Sequence, residues 1–281
     1  MSKPKHLSDG NVPPLREGDR GRLPSFGGAG GGRKYEHLFF DLDNTLWDFD
    51  TNARLAMQET VAQLKMESQL PDFDSFYHFY EQVNTSLWEA YRKQEIRKPE
   101  LIKKRFADTL AHFQIEGIDP VEMNELYLKI MPRQKQLIAG ALETLSYLKS
   151  KRYHLHIITN GFKEVQHAKI NTCGLAPYFE GVFISEEIQA PKPDKRIFKH
   201  ALMNCNAKKS KSIMIGDSFE TDILGANQFG MDSIHLKKHT NLATTPPPLK
   251  NISQKTNNIT STTPSNKTSV IENLTQLLDI L

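Results

Sequence analysis

The sequence has little cysteine and no long apolar run, and each shortage excludes a class of protein. Among 281 residues only Cys173 and Cys205 are cysteines, too few and too far apart for a disulfide framework or a zinc cluster. No apolar stretch approaches the roughly 20 residues of a membrane-spanning helix, and residues 1–34 lack the apolar segment of a secretory signal. We therefore expect a cytoplasmic protein with no membrane partner.

Positive charge is also scarce in the part of the chain that is expected to fold. The formal net charge is +3, but residues 1–34 carry +4, residues 237–268 carry +5 and residues 35–236 carry −4. The excess of Lys and Arg thus lies in two polar stretches without hydrophobic periodicity. A nucleic-acid surface needs basic residues clustered on an ordered face, so we expect no nucleic-acid partner.

Three segments are predicted from composition and periodicity to lie outside the main core. Residues 1–34 form a Gly/Pro/Arg-rich tail that is predicted to be disordered, and residues 238–266 form a low-complexity polar insert. Residues 49–132 show apolar residues at helical spacing, with prolines at the breaks and no strand between them. We predict that this third segment is a helical domain.

The remaining segments alternate strands with helices. In residues 35–48 and 133–237, short apolar runs are separated by stretches of helical spacing, which is typical of βαβ units around a parallel sheet. Residues 267–281 are predicted to be a strand and a helix that return to this core. The prediction is an α/β fold with a doubly wound, Rossmann-like parallel sheet and an α-helical cap domain inserted after the first strand.

Polar residues suited to phosphoryl chemistry follow each of the first four predicted strands. In strand order they are Asp41 and Asp43, Thr159 and Asn160, Lys192, and Asp217 with Asp222. Alone, each group has an ordinary explanation as solvated acids at a strand end, a helix N-cap and turn, or a loop lysine. Open α/β sheets bind ligands at the carboxyl ends of their strands. Four such groups on one edge therefore predict a binding site.

The paired carboxylates favour reaction with a phosphate ester. Alternate residues of a strand share a face, so Asp41 and Asp43 can reach one substrate if the strand extends that far. A carboxylate approaches an anionic ester only with a cation between them, which predicts Mg²⁺ with Asp217 as a further ligand. One carboxylate can attack phosphorus, and the other can protonate the leaving oxygen. The predicted partner is a small-molecule phosphate ester.

Taken together, these segments resemble the four motifs of the haloacid dehalogenase (HAD) superfamily. The matching segments are Asp41-Leu42-Asp43-Asn44-Thr45, Thr159, Lys192, and Gly216-Asp217 with Asp222. The resemblance implies that Asp41 is the nucleophile and a metal ligand. It also implies that Asp43 is the general acid/base and that its backbone carbonyl binds Mg²⁺. Dehalogenases need no leaving-group acid, so Asp43 favours phosphoryl transfer over carbon–halogen cleavage.

The same resemblance implies roles for the other strand-end residues. Thr159 and the N–H of Asn160 would hold the phosphoryl oxygens, and Lys192 would stabilise their charge. Asp217 would bind Mg²⁺ directly, whereas Asp222 would hold neighbouring site residues in position without binding the ion. The helical insert corresponds to the cap that closes over the substrate in this superfamily.

A closer likeness is to the pyrimidine 5′-nucleotidases of the YjjG type. The segments that carry it are residues 41–49, 84–91, 159–162 and 184–188. It implies pyrimidine nucleoside monophosphates, including noncanonical ones, as substrates. Four aromatic residues offer either a stacking surface for a base or simple packing of the cap, which is the commoner use. They are Trp47, Phe49, Trp88 and Tyr91.

Two other functions are also compatible with the sequence. One is a phosphatase or phosphotransferase on sugar phosphates or other small phosphoesters. The other is a non-catalytic binding protein on the same fold, although such a protein would be expected to have lost a carboxylate or the lysine. His154 and His156 lie on a predicted strand, and we expect them to be packed or hydrogen-bonded because Mg²⁺ favours oxygen ligands over imidazole.

Overall fold

The computed structural model describes residues 34–237 and 266–281. In this part of the chain six strands form one all-parallel sheet in the order β3-β2-β1-β4-β5-β6. The strands are β1 (His37–Phe40), β2 (His154–Thr159), β3 (Gly181–Ile184), β4 (Ser212–Gly216), β5 (Asp232–Leu236) and β6 (Thr268–Ile271). Strand order reverses at β1, so a crevice opens between the carboxyl ends of β1 and β4. The fold class predicted from the sequence is confirmed.

Helices form both the cap and the layers around the sheet. The cap helices are α1 (Phe49–Gln63), α2 (Phe73–Arg92), α3 (Lys98–His112) and α4 (Pro120–Ile130). The helices of the core are α5 (Ala141–Ser150), α6 (Lys163–Thr172), α7 (Ser185–Ile188), α8 (Lys195–Asn204), α9 (Gly225–Phe229) and α10 (Leu277–Ile280). Within the described ranges, none of the helices has the length and hydropathy needed to cross a bilayer.

The predicted tail and polar insert largely fall outside the described residues. Of residues 1–34 only Lys34 is described, and of residues 238–266 only Asn266. The predictions for these two segments therefore stay predictions.

The cap helices begin where the sequence supplies an N-cap. The Asp72 side chain accepts a hydrogen bond from the Ser75 backbone N–H at 2.8 Å, which satisfies one of the unpaired donors in the first turn of α2. Asp48 caps α1 and Asp119 caps α4 in the same way. Pro120 occupies the first turn of α4, where a backbone N–H is not needed. Local sequence thus fixes the start of three of these helices.

The sheet separates two apolar layers because its strands are buried on both faces. Leu38 and Phe40 of β1 pack in the cluster that extends into the cap, and Phe39 packs in the cluster on the opposite face. All three side chains are fully buried. Burying an aromatic or aliphatic side chain of this size contributes about 1.5–3 kcal/mol. The alternation anchors β1, whose carboxyl end carries the first acidic residues of the predicted site.

Three histidines lie together along β1 and β2. His156 is buried, and its two ring nitrogens lie 3.1 Å from Nδ1 of His37 and 3.3 Å from Sγ of Cys205. His154 is exposed and lies 2.8 Å from a carboxylate oxygen of Glu180. The rings of His154 and His156 are therefore packed or hydrogen-bonded, as expected from the sequence.

We predict that His156 makes stability depend on pH. Burial, with a smaller contribution from His37, lowers its pKa from 6.5 to about 4 even though Glu180 opposes the shift. Between these values the unfolded chain binds a proton that the folded chain does not, so the free energy of unfolding falls as pH falls from about 6.5 to about 4. Urea unfolding should give a loss of about 2 kcal/mol between about pH 7 and pH 5.

The control for this prediction is the same substitution at two positions. His156→Phe should remove most of the pH-dependent loss, whereas His78→Phe, on the exposed side of α2, should retain it. Equal slopes in the two variants would assign the pH dependence to other groups.

Candidate active site

The carboxyl end of β1 is linked to the loop after β3 by a buried ion pair. Asp41 continues the path of β1, with its backbone N–H donating to the Ile215 carbonyl of β4 at 2.9 Å. Nζ of Lys192 lies 2.5 Å from Oδ1 of Asp41 and 2.7 Å from Oδ1 of Asp222. It also donates to the Ile158 carbonyl of β2 at 2.8 Å. One ammonium group thus joins the carboxyl ends of β1 and β2 to the helical segment that follows β4.

Burial and crowding shift the pKa values of these groups. Burial raises the pKa of Asp41 well above its usual value, and Asp222, Asp217 and Asp43 add to the rise, whereas Lys192 opposes it. Burial lowers the pKa of Lys192, but the attraction of Asp222 and Asp41 outweighs burial and leaves that pKa raised. The lysine is therefore a permanent cation among carboxylates that repel one another.

Three of these carboxylates form a group suited to a hard metal ion. One oxygen each from Asp41, Asp217 and Asp222 lies within 4.8 Å of the others. Oxygen donors in such a group are the ligands that Mg²⁺ prefers. Gly216 leaves space for the Asp222 carboxylate in this group, because a Cβ on residue 216 would lie 2.2 Å from Oδ2 of Asp222. The donor set therefore fits Mg²⁺.

Thr45 organises this acidic group from the turn that follows β1. Its hydroxyl accepts a hydrogen bond from the Asp217 backbone N–H at 3.0 Å. The same oxygen lies 3.5 Å from Oδ2 of Asp41 and 3.4 Å from Oδ1 of Asp217. The hydroxyl proton is available to only one of these carboxylates at a time. Thr45 therefore sets the distance between the ends of β1 and β4.

Asp43 reaches the site by a different route from the one expected. The strand ends at Phe40, so strand alternation does not place Asp43 beside Asp41. Instead the chain turns at Asn44, whose φ is +63°, a conformation that Asn tolerates. Asp43 forms an isolated β-bridge with Trp47 in this turn. The backbone turn positions the Asp43 side chain at the cavity.

Two residues of α6 hold the Asp43 carboxylate. Nζ of Lys169 lies 2.7 Å from Oδ1, and Nε2 of Gln166 lies 2.9 Å from Oδ2. Lys169 is only 2% exposed, and its ammonium lies 4.2 Å from the centroid of the Trp47 ring. Charge-assisted hydrogen bonds to both oxygens fix the orientation of this carboxylate. Gln166 and Lys169 were not predicted from the sequence, because only the packing of α6 shows that these polar side chains are buried.

Thr159 and Asn160 lie at the end of β2, beside Lys192. The Thr159 hydroxyl is buried and accepts a hydrogen bond from Nε2 of Gln166 at 2.7 Å. The Asn160 side chain bonds both backbone groups of Lys192, accepting from its N–H at 2.8 Å and donating to its carbonyl at 3.1 Å. Asn160 thus fixes the loop that carries the lysine, which the sequence analysis did not foresee.

A cavity of about 260 Å³ opens between the cap and this end of the sheet. Its core side includes Asp43, Asn160, Gly161, Gln166 and Lys169. Its cap side is mainly aromatic and includes Phe49, Tyr80, Trp88 and Tyr127, together with Asn84 and Arg105. The cavity therefore has a charged end at the sheet and an aromatic end at the cap.

The four aromatic residues singled out from the sequence divide between two uses. Phe49 and Trp88 line the cavity. Trp47 is fully buried, and its indole N–H donates to the Gln134 carbonyl at 3.2 Å. Tyr91 packs edge-on against Phe162, with ring centroids 6.3 Å apart. Packing accounts for two of them, and the other two face the cavity.

Lys98 ties the cap to the core at the edge of the cavity. From the start of α3, its ammonium lies 2.9 Å from Glu164 of α6 and 2.7 Å from Glu186 of α7. It also lies 4.1 Å from the centroid of the Phe162 ring. These contacts hold the cap against α6 and α7 of the core.

Comparison with known proteins agrees with this architecture. Residues 35–230 match the model of the haloacid dehalogenase-like hydrolases, and residues 189–276 match a second HAD-hydrolase-like model. The crystal structure of YfnB from Bacillus subtilis bound to magnesium covers 89% of this chain and 99% of its own, with a TM-score of 0.71 and 24% identity. At that identity the likeness shows the fold alone.

Curated relatives share more of the sequence. Pyrimidine 5′-nucleotidase PynA of Streptococcus pneumoniae is 36% identical over 73% of this chain and 87% of its own length. Pyrimidine 5′-nucleotidase YjjG of Escherichia coli is 32% identical over 73% of this chain and 88% of its own. Glyceraldehyde 3-phosphate phosphatase of Pyrococcus furiosus is 30% identical over 73% and 82%. The resemblance stated from the motifs is confirmed, and the chain belongs to the haloacid dehalogenase-like hydrolase family.

Proposed function

We propose that this hydrolase is a Mg²⁺-dependent phosphatase that acts through an aspartyl-phosphate intermediate, with pyrimidine nucleoside monophosphates as substrates. The observation that carries the proposal is the cavity, whose sheet end is lined by Asp43 and Lys169 and whose other end is an aromatic chamber in the cap, with the carboxylates of Asp41, Asp217 and Asp222 grouped next to Asp43 at the same sheet edge. A phosphate group suits the first end, and a planar base suits the second.

The charges at the sheet edge account for the metal requirement. The groups are four carboxylates and two ammonium groups, from Asp41, Asp43, Asp217, Asp222, Lys169 and Lys192. When all are ionised they leave two net negative charges, which repel a phosphate dianion. We infer that Asp41, Asp217 and the Asp43 carbonyl bind Mg²⁺, and that Asp222 supports Lys192. The bound ion would neutralise this charge and polarise the phosphoryl oxygens.

The side chains then divide the reaction into two steps. A carboxylate oxygen of Asp41 attacks phosphorus, and the bond to the leaving oxygen breaks while Asp43 donates a proton to that oxygen. Asp43 next accepts a proton from water, and the resulting hydroxide attacks phosphorus and releases Asp41 and inorganic phosphate. Thr159, the Asn160 N–H and the Lys192 ammonium stabilise the phosphoryl oxygens in both steps.

Two observations favour a nucleotide over a sugar phosphate. Two relatives, with 36% and 32% identity, are pyrimidine 5′-nucleotidases, and the aromatic cap side of the cavity offers a stacking surface to a planar base. The phosphatase of Pyrococcus furiosus keeps a small sugar phosphate as the alternative. A binding protein without activity does not explain why every carboxylate and lysine of the motifs is in place.

Metal removal is expected to stop turnover. Without a divalent ion, the negatively charged carboxylate cluster repels the phosphate group of the substrate and keeps it away from the attacking oxygen of Asp41. We therefore expect kcat/KM to fall by at least about 100-fold. The measurement is phosphate release from UMP after treatment with excess EDTA, followed by titration with Mg²⁺. Recovery should saturate with added Mg²⁺. Undiminished turnover in excess chelator would contradict the metal requirement.

A substrate panel tests the leaving group. We expect kcat/KM for UMP, CMP and dTMP to exceed that for ribose 5-phosphate and glyceraldehyde 3-phosphate by about 10-fold or more, because only the nucleotides fill the aromatic end. AMP and GMP test whether the chamber rejects purines. A higher kcat/KM for either sugar phosphate would reverse the assignment and leave the phosphatase activity intact.

A further inference from the structure

The cap contains a buried cation that has no carboxylate partner in the described part of the chain. Arg105 on α3 is 3% exposed and lines the cavity. Its Nε and Nη2 donate to Oδ1 of Asn124 at 3.0 and 2.5 Å, and Nη1 donates to Oδ1 of Asn84 at 3.3 Å. Other arginines of the chain, such as Arg54 and Arg196, pair with aspartates.

A guanidinium in this position is costly unless another acceptor completes its hydrogen bonding. Burying a charge without a counter-charge is unfavourable, and amide oxygens compensate only in part. The guanidinium of Arg105 has five N–H groups, and the contacts to Asn84 and Asn124 use three of them. Two N–H groups remain, one on each terminal nitrogen, without an acceptor among residues 34–237 and 266–281. A ligand in the cavity can supply that acceptor.

The surroundings of Arg105 indicate a neutral, planar acceptor. The ring centroids of Phe106 and Tyr127 lie 5.2 and 5.5 Å from its guanidinium carbon, and Tyr80 and Tyr127 line the same part of the cavity. Trp88 lies further along the wall, with its ring centroid 5.0 Å from that of Phe162. Aromatic walls with a few hydrogen-bond donors are typical of a site for a heterocycle that carries carbonyl groups.

We propose that Arg105 is a specificity determinant that donates hydrogen bonds to a carbonyl oxygen of the pyrimidine base. This inference rests on the proposed nucleotidase function and names the base carbonyl as the part of the substrate that the cap recognises. Uracil, thymine and cytosine all carry a ring carbonyl, whereas adenine has none. The guanidinium therefore selects pyrimidine nucleotides over adenine nucleotides and over phosphates that lack a base.

The test compares substrates with and without the base in matched variants of the full chain. Arg105→Met removes the donors and keeps the side-chain length. It should lower kcat/KM for UMP by roughly 10- to 100-fold, the loss typical of one charged hydrogen bond. It should change kcat/KM for ribose 5-phosphate by no more than about threefold, since that substrate does not reach the guanidinium. Arg105→Lys should recover part of the activity on UMP.

A control variant and the comparison of the two substrates separate recognition from a structural role of Arg105. Arg54→Met, on α1 and outside the cavity lining, should leave both substrates unaffected. If Arg105 only braces α2, α3 and α4, then Arg105→Met lowers kcat/KM by the same factor for both substrates, which overturns the proposal. An unchanged ratio of UMP to ribose 5-phosphate with full activity overturns it as well.

Thio-substituted substrates keep the proposal testable even if Arg105→Met fails to fold. Sulfur accepts hydrogen bonds poorly, so the wild-type protein should prefer UMP over 2-thio-UMP or over 4-thio-UMP by about 10-fold. The analogue that loses activity identifies which carbonyl of the base the cavity recognises. Equal kcat/KM for all three substrates overturns the proposal. If the wild-type protein instead prefers ribose 5-phosphate to UMP, the nucleotidase function itself fails, and the two failures are distinguishable.

Discussion

Replacement of Asp41 by asparagine is expected to lower kcat by roughly 10⁴-fold or more while leaving the protein folded. Asn has nearly the same shape as Asp, but an amide does not attack phosphorus, so no aspartyl-phosphate forms. The side-chain carbonyl can still accept the hydrogen bond from Lys192 that the carboxylate accepts now. Loss of chemistry is therefore expected without loss of structure.

Stability should move in the opposite direction from activity. Burial and the neighbouring carboxylates raise the pKa of Asp41, which means that its ionised form is costly in the folded, metal-free protein. Asn removes one of the crowded charges. The metal-free Asp41→Asn variant should therefore unfold at the same temperature as the wild type or at a higher one, as is common when a catalytic group is removed.

Rapid-quench experiments with phosphate-labelled UMP distinguish the nucleophile from a merely nearby acid. The wild type should give an acid-stable, hydroxylamine-sensitive phosphoprotein, and Asp41→Asn should give none. The matched control is Asp108→Asn, an exposed aspartate on α3, which should behave as the wild type. Turnover close to that of the wild type in Asp41→Asn would place the nucleophile elsewhere.

The sequence was sufficient to predict which strand ends meet. Parallel strands place their carboxyl ends on one edge, and each of the first four predicted strands was followed by a chemically suitable residue. The register agrees with this: Phe40 of β1 lies opposite Ile157 of β2 and Ile215 of β4. Asp41 and Asp217 follow directly from the ends of β1 and β4. Apolar runs and their polar ends are local signals, so this part of the site was accessible.

Contacts that depend on tertiary packing were not accessible in the same way. Lys169 and Asp43 are separated by 126 positions in the chain, and their ion pair depends on how α6 packs against the turn at Asn44. Arg105 lies in a helix of ordinary amphipathic pattern, and only the packing of three cap helices shows that its charge is buried. Burial of a long charged side chain cannot be deduced from periodicity, because Lys and Arg on a buried helix face often extend to solvent.

Replacement of Lys192 by methionine is expected to damage both catalysis and stability. The ammonium is 2% exposed and contacts two carboxylates and a backbone carbonyl. Met fills a similar volume but leaves Asp41 and Asp222 buried beside each other without their cation. Breaking a buried ion pair by removing one partner costs about 3–5 kcal/mol. We expect a loss of that size in the free energy of unfolding of the metal-free protein.

The loss of the Lys192 ammonium should also lower kcat, because this group contacts the phosphoryl oxygens as well as the carboxylates. In the proposed mechanism the ammonium stabilises charge on the phosphoryl oxygens, and removal of one such preorganised donor lowers kcat by about 10²- to 10³-fold. Added Mg²⁺ should restore much of the stability of Lys192→Met, because an ion bound by Asp41 and Asp217 neutralises charge beside the unpaired Asp222 and binds only the folded protein. It should not restore kcat, because the donor to the phosphoryl group is still missing.

Chemical denaturation with and without Mg²⁺, together with kcat for UMP, resolves the two effects. Lys195→Met, an exposed position at the start of α8, is the matched control and should retain both wild-type values. If Mg²⁺ restored stability and kcat together, Lys192 would serve only to hold the carboxylates apart. If neither value changed, the buried cation would not be needed at all. Recovery of stability without recovery of kcat is the result expected of a lysine that both neutralises the metal-free site and contacts the substrate.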